Sequence, residues 1–136
     1  MLFRSSSPLV SGELIERTIY AAQKYRSAVP AIASTDTLKA VDGEGFVAAT
    51  VDRESIRRVQ TPQVFEADLI KGALTKAVTR GLTLTDDCSA MDMMGVKTYL
   101  VEGEATNIKI TTPDDLVTAE AIVNARGDYN ANRLWV

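Results

Sequence analysis

The feature that most limits how this chain can fold is an alternation of two hydrophobic periods along its length. Segments with apolar residues at helical spacing alternate with short runs of Ala, Val and Ile. A helix must bury a stripe and a strand must bury a face, so their repeated alternation is satisfied by helices layered on a sheet. Gly12 to Tyr25 is predicted as a helix capped by Ser11, with Leu14, Ile15, Thr18, Ile19 and Ala22 on one face. Ala28–Ala33 reads as a buried strand, although Pro30 lacks a ladder donor and belongs at an edge or bulge. Thr37–Val41 and Phe46–Val51 read as a hairpin joined by the turn sequence Asp42-Gly43-Glu44-Gly45. It is mostly polar, buries little of itself, and is expected to protrude as an arm.

Arg53–Val59 reads as basic and irregular, and Gln60-Thr61-Pro62-Gln63 as a tight turn leading into a helix. That helix, Glu66–Arg80, would turn Leu69, Ile70, Ala73, Leu74, Ala77 and Val78 inward and stop at Gly81. Thr85-Asp86-Asp87 opens a short helix through Met94, and Lys97–Val101 and Asn107–Ile110 read as strands. Thr112-Pro113-Asp114-Asp115 combines a threonine cap, a proline at the first helical position and an acid three residues after the cap. The helix it starts runs to about Ala125, and 127–136 reads as a frayed polar tail carrying Trp135. The whole predicts one α/β domain over 1–136 with a mostly parallel sheet. A doubly wound sheet usually begins with a strand. Here a loop and a helix come first, so the opening strands of such a sheet are expected to be missing.

Composition removes several functional classes. The net charge is −3 with no basic block, which excludes non-specific nucleic-acid binding through massed phosphate contacts. No apolar run reaches the roughly 20 residues needed to cross a bilayer, and no signal peptide is read in the first residues. The single Cys88 cannot pair within the chain and suits a reducing, cytoplasmic setting, or a plastid in a eukaryote. There is no histidine, which excludes His-based triads and most zinc catalysis by this chain.

Four polar positions are candidates for chemistry, and each has an ordinary structural reading beside it. Asp36, Thr37 and Lys39 at the base of the arm can hold a phosphate, or simply solvate a strand. Arg53, in Thr50-Val51-Asp52-Arg53, can grip a phosphate with two donors, or lie in solvent. Thr85-Asp86-Asp87 sits where helix amides favour an anion, though the same residues also cap a helix. Lys109, between Ile108 and Ile110, would leave a strand at the carboxyl edge of the sheet, where open α/β folds bind ligands.

Taken in order, Asp-Thr-Leu-Lys, Thr-Val-Asp-Arg, Gln-Thr-Pro-Gln, Thr-Asp-Asp, Val-Glu-Gly and Asn-Ile-Lys-Ile-Thr-x-Pro-Asp-Asp-Leu resemble one family. It is the 2-C-methyl-D-erythritol 4-phosphate cytidylyltransferase family, and the resemblance runs from about Pro8 to Val123. The resemblance implies a Rossmann-like nucleotidyltransferase fold of glycosyltransferase-A type. It also implies transfer of CMP from CTP to a polyol phosphate with Mg²⁺ and release of pyrophosphate, in non-mevalonate isoprenoid biosynthesis. By motif match, Arg53 and Lys109 would hold and orient the attacking substrate, and Thr37 and Thr85 would bind its phosphate and hydroxyl groups. The arm, residues 34–53, would cross to a second copy of the chain, so that Thr37 and Arg53 act in the partner's site.

The match also departs from the family. The glycine-rich loop that grips the CTP triphosphate is not found, because the glycines here are dispersed in turns. The family's His-Asp-(Ala/Ser)-Ala-Arg-Pro segment aligns with Phe3-Arg4-Ser5-Ser6-Ser7-Pro8, which puts Arg4 at the position of a metal-binding aspartate. A cation cannot ligate Mg²⁺, so the metal site is expected to be lost and the chain to be a fragment. Exposed sheet edges then predict a chain that is marginally stable, dependent on dimerisation or prone to aggregate. Ribitol-5-phosphate cytidylyltransferase fits the same blocks, and a non-catalytic dimerising or polyol-phosphate-binding remnant is a second class of reading. A generic α/β binding domain with accidental motif matches is a third.

Overall fold

The computed structural model of the protein describes residues 2–4, 7–84 and 86–127, with only the backbone for the first of these segments. The elements are β1 (Leu2–Arg4), α1 (Gly12–Tyr25), β2 (Ser27–Ala33), β3 (Lys39–Val41) and β4 (Val47–Thr50), then a 3₁₀ turn (Arg53–Ser55). They continue with β5 (Arg57–Val59), β6 (Gln63–Phe65), α2 (Ala67–Thr79), α3 (Asp87–Met93), β7 (Tyr99–Glu102) and α4 (Pro113–Ala125). Expectations for Thr85, for Trp135 and the tail beyond residue 127, and for the Arg4 side chain fall outside the described residues.

Local chemistry sets the helix ends. The Ser11 hydroxyl accepts from the Leu14 amide at 3.1 Å and starts α1. Thr18 is fully buried on that helix, and its hydroxyl donates to the Leu14 carbonyl at 2.7 Å, which avoids a buried orphan donor. Arg26 closes α1 in the left-handed region at φ 72°, returning its amide to the Ala22 carbonyl at 2.8 Å. Its guanidinium meets the Glu66 carboxylate at 2.7 Å, and this hydrogen bond holds that carboxyl below its usual range. Both groups are exposed, so the pair orients the chain entering β2 more than it stabilises it. At α4, the Asp115 carboxylate accepts from the Thr111 amide, the Thr111 hydroxyl and the Thr112 amide, each at 2.9 Å. Those donors favour the ionised form and pull Asp115 down to about 2.

The main sheet runs β1-β6-β2-β5, with β7 on the other side of β2. The α/β class stands, but the sheet is mixed rather than mostly parallel. Among the described pairings only β2–β7 is parallel, while β1–β6, β6–β2 and β2–β5 are antiparallel. The returning strands β5 and β6 have three residues each, too few to display a period in the sequence. They replace the irregular stretch expected at Arg53–Val59 and the direct turn-to-helix passage expected after Gln60. A short strand, β1, also precedes α1, contrary to the loop-first expectation.

Pro30 is accommodated inside the central strand because β2 changes partner there. Ala28 pairs with Val64 of β6 and Ala31 with Val59 of β5, so the missing N–H of Pro30 points at the junction between them. Its carbonyl still accepts from the Gln60 amide at 2.8 Å. Asn107–Ile110, expected as a strand, joins no ladder among the described residues.

Consecutive residues of β6 feed both sides of the sheet, as strand alternation requires. Val64 joins Ala21, Ala22 and Ala28 beneath α1, while Phe65 joins Ile70, Ala73, Ala90 and Met91 beneath α2 and α3. Val78 does not turn inward as expected; it is 80% exposed on a flank of α2 that nothing described covers. The β3–β4 hairpin forms its own two-stranded sheet and lies wholly in solvent, with Val41, Phe46 and Val47 exposed. Its turn is held by the Asp42 carboxylate, which accepts from the Glu44 and Phe46 amides at 2.9 Å each. No described helix is long and apolar enough to cross a membrane.

Candidate functional site

A cavity of about 620 Å³ opens beyond the carboxyl end of β2. Ile32, Ala33 and Thr35 form its β2 side, Arg58, Gln60, Thr61 and Gln63 come from β5, β6 and their junction, and Asn107 and Lys109 come from the segment before α4. Ser7, Asp86 and Asp115 complete the polar wall. Cations (Arg58, Lys109) and carboxylates (Asp86, Asp115) therefore share one opening, at the sheet edge where open α/β folds bind ligands.

The wall is tied together by side chains. Asn107 is buried; its Nδ2 donates to the Thr61 carbonyl at 2.7 Å, and its Oδ1 has no hydrogen-bond partner among the described residues. The Ser7 and Thr61 hydroxyls lie 2.5 Å apart. Asp86 caps α3, accepting from the Ser89 amide at 3.0 Å and the Ser89 hydroxyl at 2.8 Å. The cap is thus Asp86.

Of the residues singled out in the sequence, Lys109 lies on the cavity wall with its side chain exposed. Arg53 is exposed and does not line the cavity; its guanidinium donates to the carbonyl of the lining residue Thr35 at 3.1 Å. Thr37 is exposed at the root of the hairpin, outside the cavity. Lys39 is engaged within the hairpin, donating to the Thr50 hydroxyl at 2.6 Å. Thr85 lies outside the described residues, beside the lining residue Asp86. Within one chain, then, Arg53 and Lys109 do not share a wall. Arg58, Gln60 and Asn107 were not singled out: Gln60 lies in a sequence that reads as a turn, and Arg58 in one that reads as irregular.

Among the described residues no three of Cys, Asp or Glu gather as a metal-holding group. The two carboxylates of the cavity wall, Asp86 and Asp115, are each engaged in capping a helix.

Cys88, packed against the α2–α3 core, is not a nucleophile poised for chemistry. Burial, reinforced by the nearby Asp86 carboxylate, pushes its thiol up to about 12. From an ordinary value of 9.0 this leaves roughly a thousandfold less thiolate at neutral pH, partly offset by higher intrinsic nucleophilicity. Reaction with a disulfide reagent at pH 8 is expected to run roughly fiftyfold slower than in denaturant. Equal rates in the two conditions would contradict this burial.

Comparison with known proteins agrees with this architecture. The family model described as 2-C-methyl-D-erythritol 4-phosphate cytidylyltransferase matches residues 2–125. The protein of that name from Caldanaerobacter subterraneus is 47% identical over 113 residues, covering 83% of this chain and 50% of the relative. That from Syntrophus aciditrophicus is 41% identical over 116 residues, covering 85% of this chain and 50% of the relative. The crystal structure of the Thermus thermophilus 2-C-methyl-D-erythritol 4-phosphate cytidylyltransferase superposes with a TM-score of 0.78 at 44% identity, over 88% of this chain and 58% of that one. A 4-diphosphocytidyl-2C-methyl-D-erythritol synthase from Anaerococcus prevotii gives 0.83 at 32% identity, over 90% and 56%. The chain spans about half the length of the curated relatives it matches. With a family match over nearly all its described residues and the same α/β architecture in solved relatives, this chain belongs to the 2-C-methyl-D-erythritol 4-phosphate cytidylyltransferase family.

Proposed function

We propose that this chain is the polyol-phosphate-binding part of a cytidylyltransferase that moves CMP from CTP to 2-C-methyl-D-erythritol 4-phosphate. The observation that carries the reading is Lys109 on the wall of a polar cavity at the carboxyl end of β2. In the reaction a phosphate oxygen of the polyol phosphate attacks the α-phosphorus of CTP. The bond from that phosphorus to the β-phosphate bridge breaks, and pyrophosphate leaves with the electron pair. Two anions must approach each other, so charge neutralisation and alignment are the main work for side chains. Lys109 neutralises the polyol phosphate from the cavity wall, and Thr85 binds its oxygens. The partner subunit's Arg53 and the partner subunit's Thr37 complete the grip, brought in by an arm spanning 34–53. The exposed apolar residues Val41, Phe46 and Val47 support this role for the arm, since none of the described residues of their own chain covers them. Residues that hold CTP, and Mg²⁺ with it, belong to a nucleotide-binding part supplied from outside this sequence. The free, half-buried Cys88 suits a cytoplasmic setting.

Calorimetric titration with 2-C-methyl-D-erythritol 4-phosphate and ribitol 5-phosphate tests the reading. Saturable binding of the first, at least tenfold tighter than the second, is expected. Preference for ribitol 5-phosphate would reassign the substrate, and absence of binding to either would remove the function.

A further inference from the structure

We infer that Gln60 is a positioning residue, a strap across β2 that orders the segment carrying Lys109; its bearing on substrate rests on the function proposed above. The segment 103–110 lies between β7 and α4 and, past the Gly103 amide, joins no strand among the described residues. Backbone outside a ladder must find other partners, and here side chains provide them. The Gln60 amide acts as a surrogate strand residue, with Nε2 donating to the Glu104 carbonyl at 2.8 Å and Oε1 accepting from the Glu104 amide at 3.2 Å. Asn107 Nδ2 reaches the same oxygen at 3.4 Å and the Thr61 carbonyl at 2.7 Å.

The route of the strap is what makes it specific. The Gln60 backbone is pinned on one side of β2, where its amide donates to the Pro30 carbonyl at 2.8 Å. Gly103 is pinned on the opposite side, its amide donating to the Ala31 carbonyl at 2.9 Å. The Gln60 side chain therefore passes over β2 to reach Glu104. It has room only because position 103 is glycine: a Cβ there would stand 2.3 Å from Gln60 Oε1 and 3.1 Å from the Ala31 carbonyl oxygen. Two further ties hold the same segment, Ser11 to the Glu104 carboxylate and Arg126 to the Thr106 hydroxyl at 2.9 Å. Gln60 is the tie that reaches its main chain at Glu104, five residues before Lys109, which makes it the one that sets where the lysine leaves the wall.

Gln60→Met preserves length and packing but removes the hydrogen bonds, and Gly103→Ala displaces the strap from the other side. In the full 136-residue chain, both are expected to raise amide exchange at residues 104–109 at least tenfold while exchange in β2 and β6 stays near wild type. Both should weaken binding of 2-C-methyl-D-erythritol 4-phosphate five- to tenfold. Lys109→Ala serves as the comparison: it should abolish binding without changing exchange at 104–106. If Lys109→Ala weakens binding and the two strap variants leave both readouts unchanged, the inference is overturned while the proposed function stands. If the variants raise exchange evenly across the sheet, Gln60 is a general stabiliser and the inference also fails. If wild type binds no polyol phosphate, the proposed function falls, and the local exchange result alone decides whether the strap orders the segment.

Discussion

Phe65→Ala is expected to lower stability by about 3–5 kcal/mol, a large fraction of the roughly 5–15 kcal/mol a domain commonly has. Phe65 is 1% exposed and is the largest fully buried side chain of the described residues. It stands on β6, paired with Leu2 of β1 and Ser27 of β2, and its ring packs with Ile70, Ala73, Ala90 and Met91. Two of its four buried neighbours, Ala73 and Ala90, are too short to reach into the space a phenyl ring leaves. Val78→Ala, 80% exposed on α2, is the control and should change stability by no more than about 0.5 kcal/mol. Urea unfolding followed by circular dichroism measures both. A Phe65→Ala midpoint close to that of Val78→Ala would mean that the α2–α3 layer does not anchor the sheet.

The second large effect concerns which chain completes which site. Arg53→Ala and Lys109→Ala, each alone, are expected to remove nearly all binding of the polyol phosphate, and nearly all turnover once the chain is joined to the N-terminal half of a relative. Leaving an anion beside a single cation forfeits a charge-assisted contact in each case. The informative sample is an equimolar, re-equilibrated mixture of the two variants. If Arg53 acts across a two-fold dimer, half the dimers are mixed, and each mixed dimer has one site with both lesions and one with none. About one quarter of the wild-type sites should then return. If Arg53 acts within its own chain, every site in the mixture carries one lesion and nothing returns. The exposed position of Arg53, bonded to Thr35 and outside the cavity that Lys109 lines, is what makes the first outcome the expected one.

Local chemistry was legible before any coordinates. Ser11 starting α1, the Thr112-Pro113-Asp114-Asp115 start of α4 and the Asp42–Gly45 turn all depend on contacts within about four residues, and each forms as read. The family blocks were legible too, because an ordered set of residue types can be matched even when their neighbours in space are unknown. Several other features were not. β5 and β6 are strands only because β2 lies beside them, and three residues carry no period of their own. Asn107–Ile110 has the β-branched pattern of a strand but no neighbour to pair with among the described residues. Pro30 reads as an edge residue, and its place inside the central strand depends on a change of partner that only pairing reveals.

From the sequence alone came the α/β class, the helix ends and the protruding hairpin, since each follows from local propensity, period or residue type. The tertiary structure decided the mixed direction of the sheet, the cavity, the separation of Arg53 from Lys109 within one chain, and the path of Gln60 over β2. Those depend on which backbone groups far apart in sequence satisfy one another's hydrogen bonds, and no window of neighbouring residues contains that information.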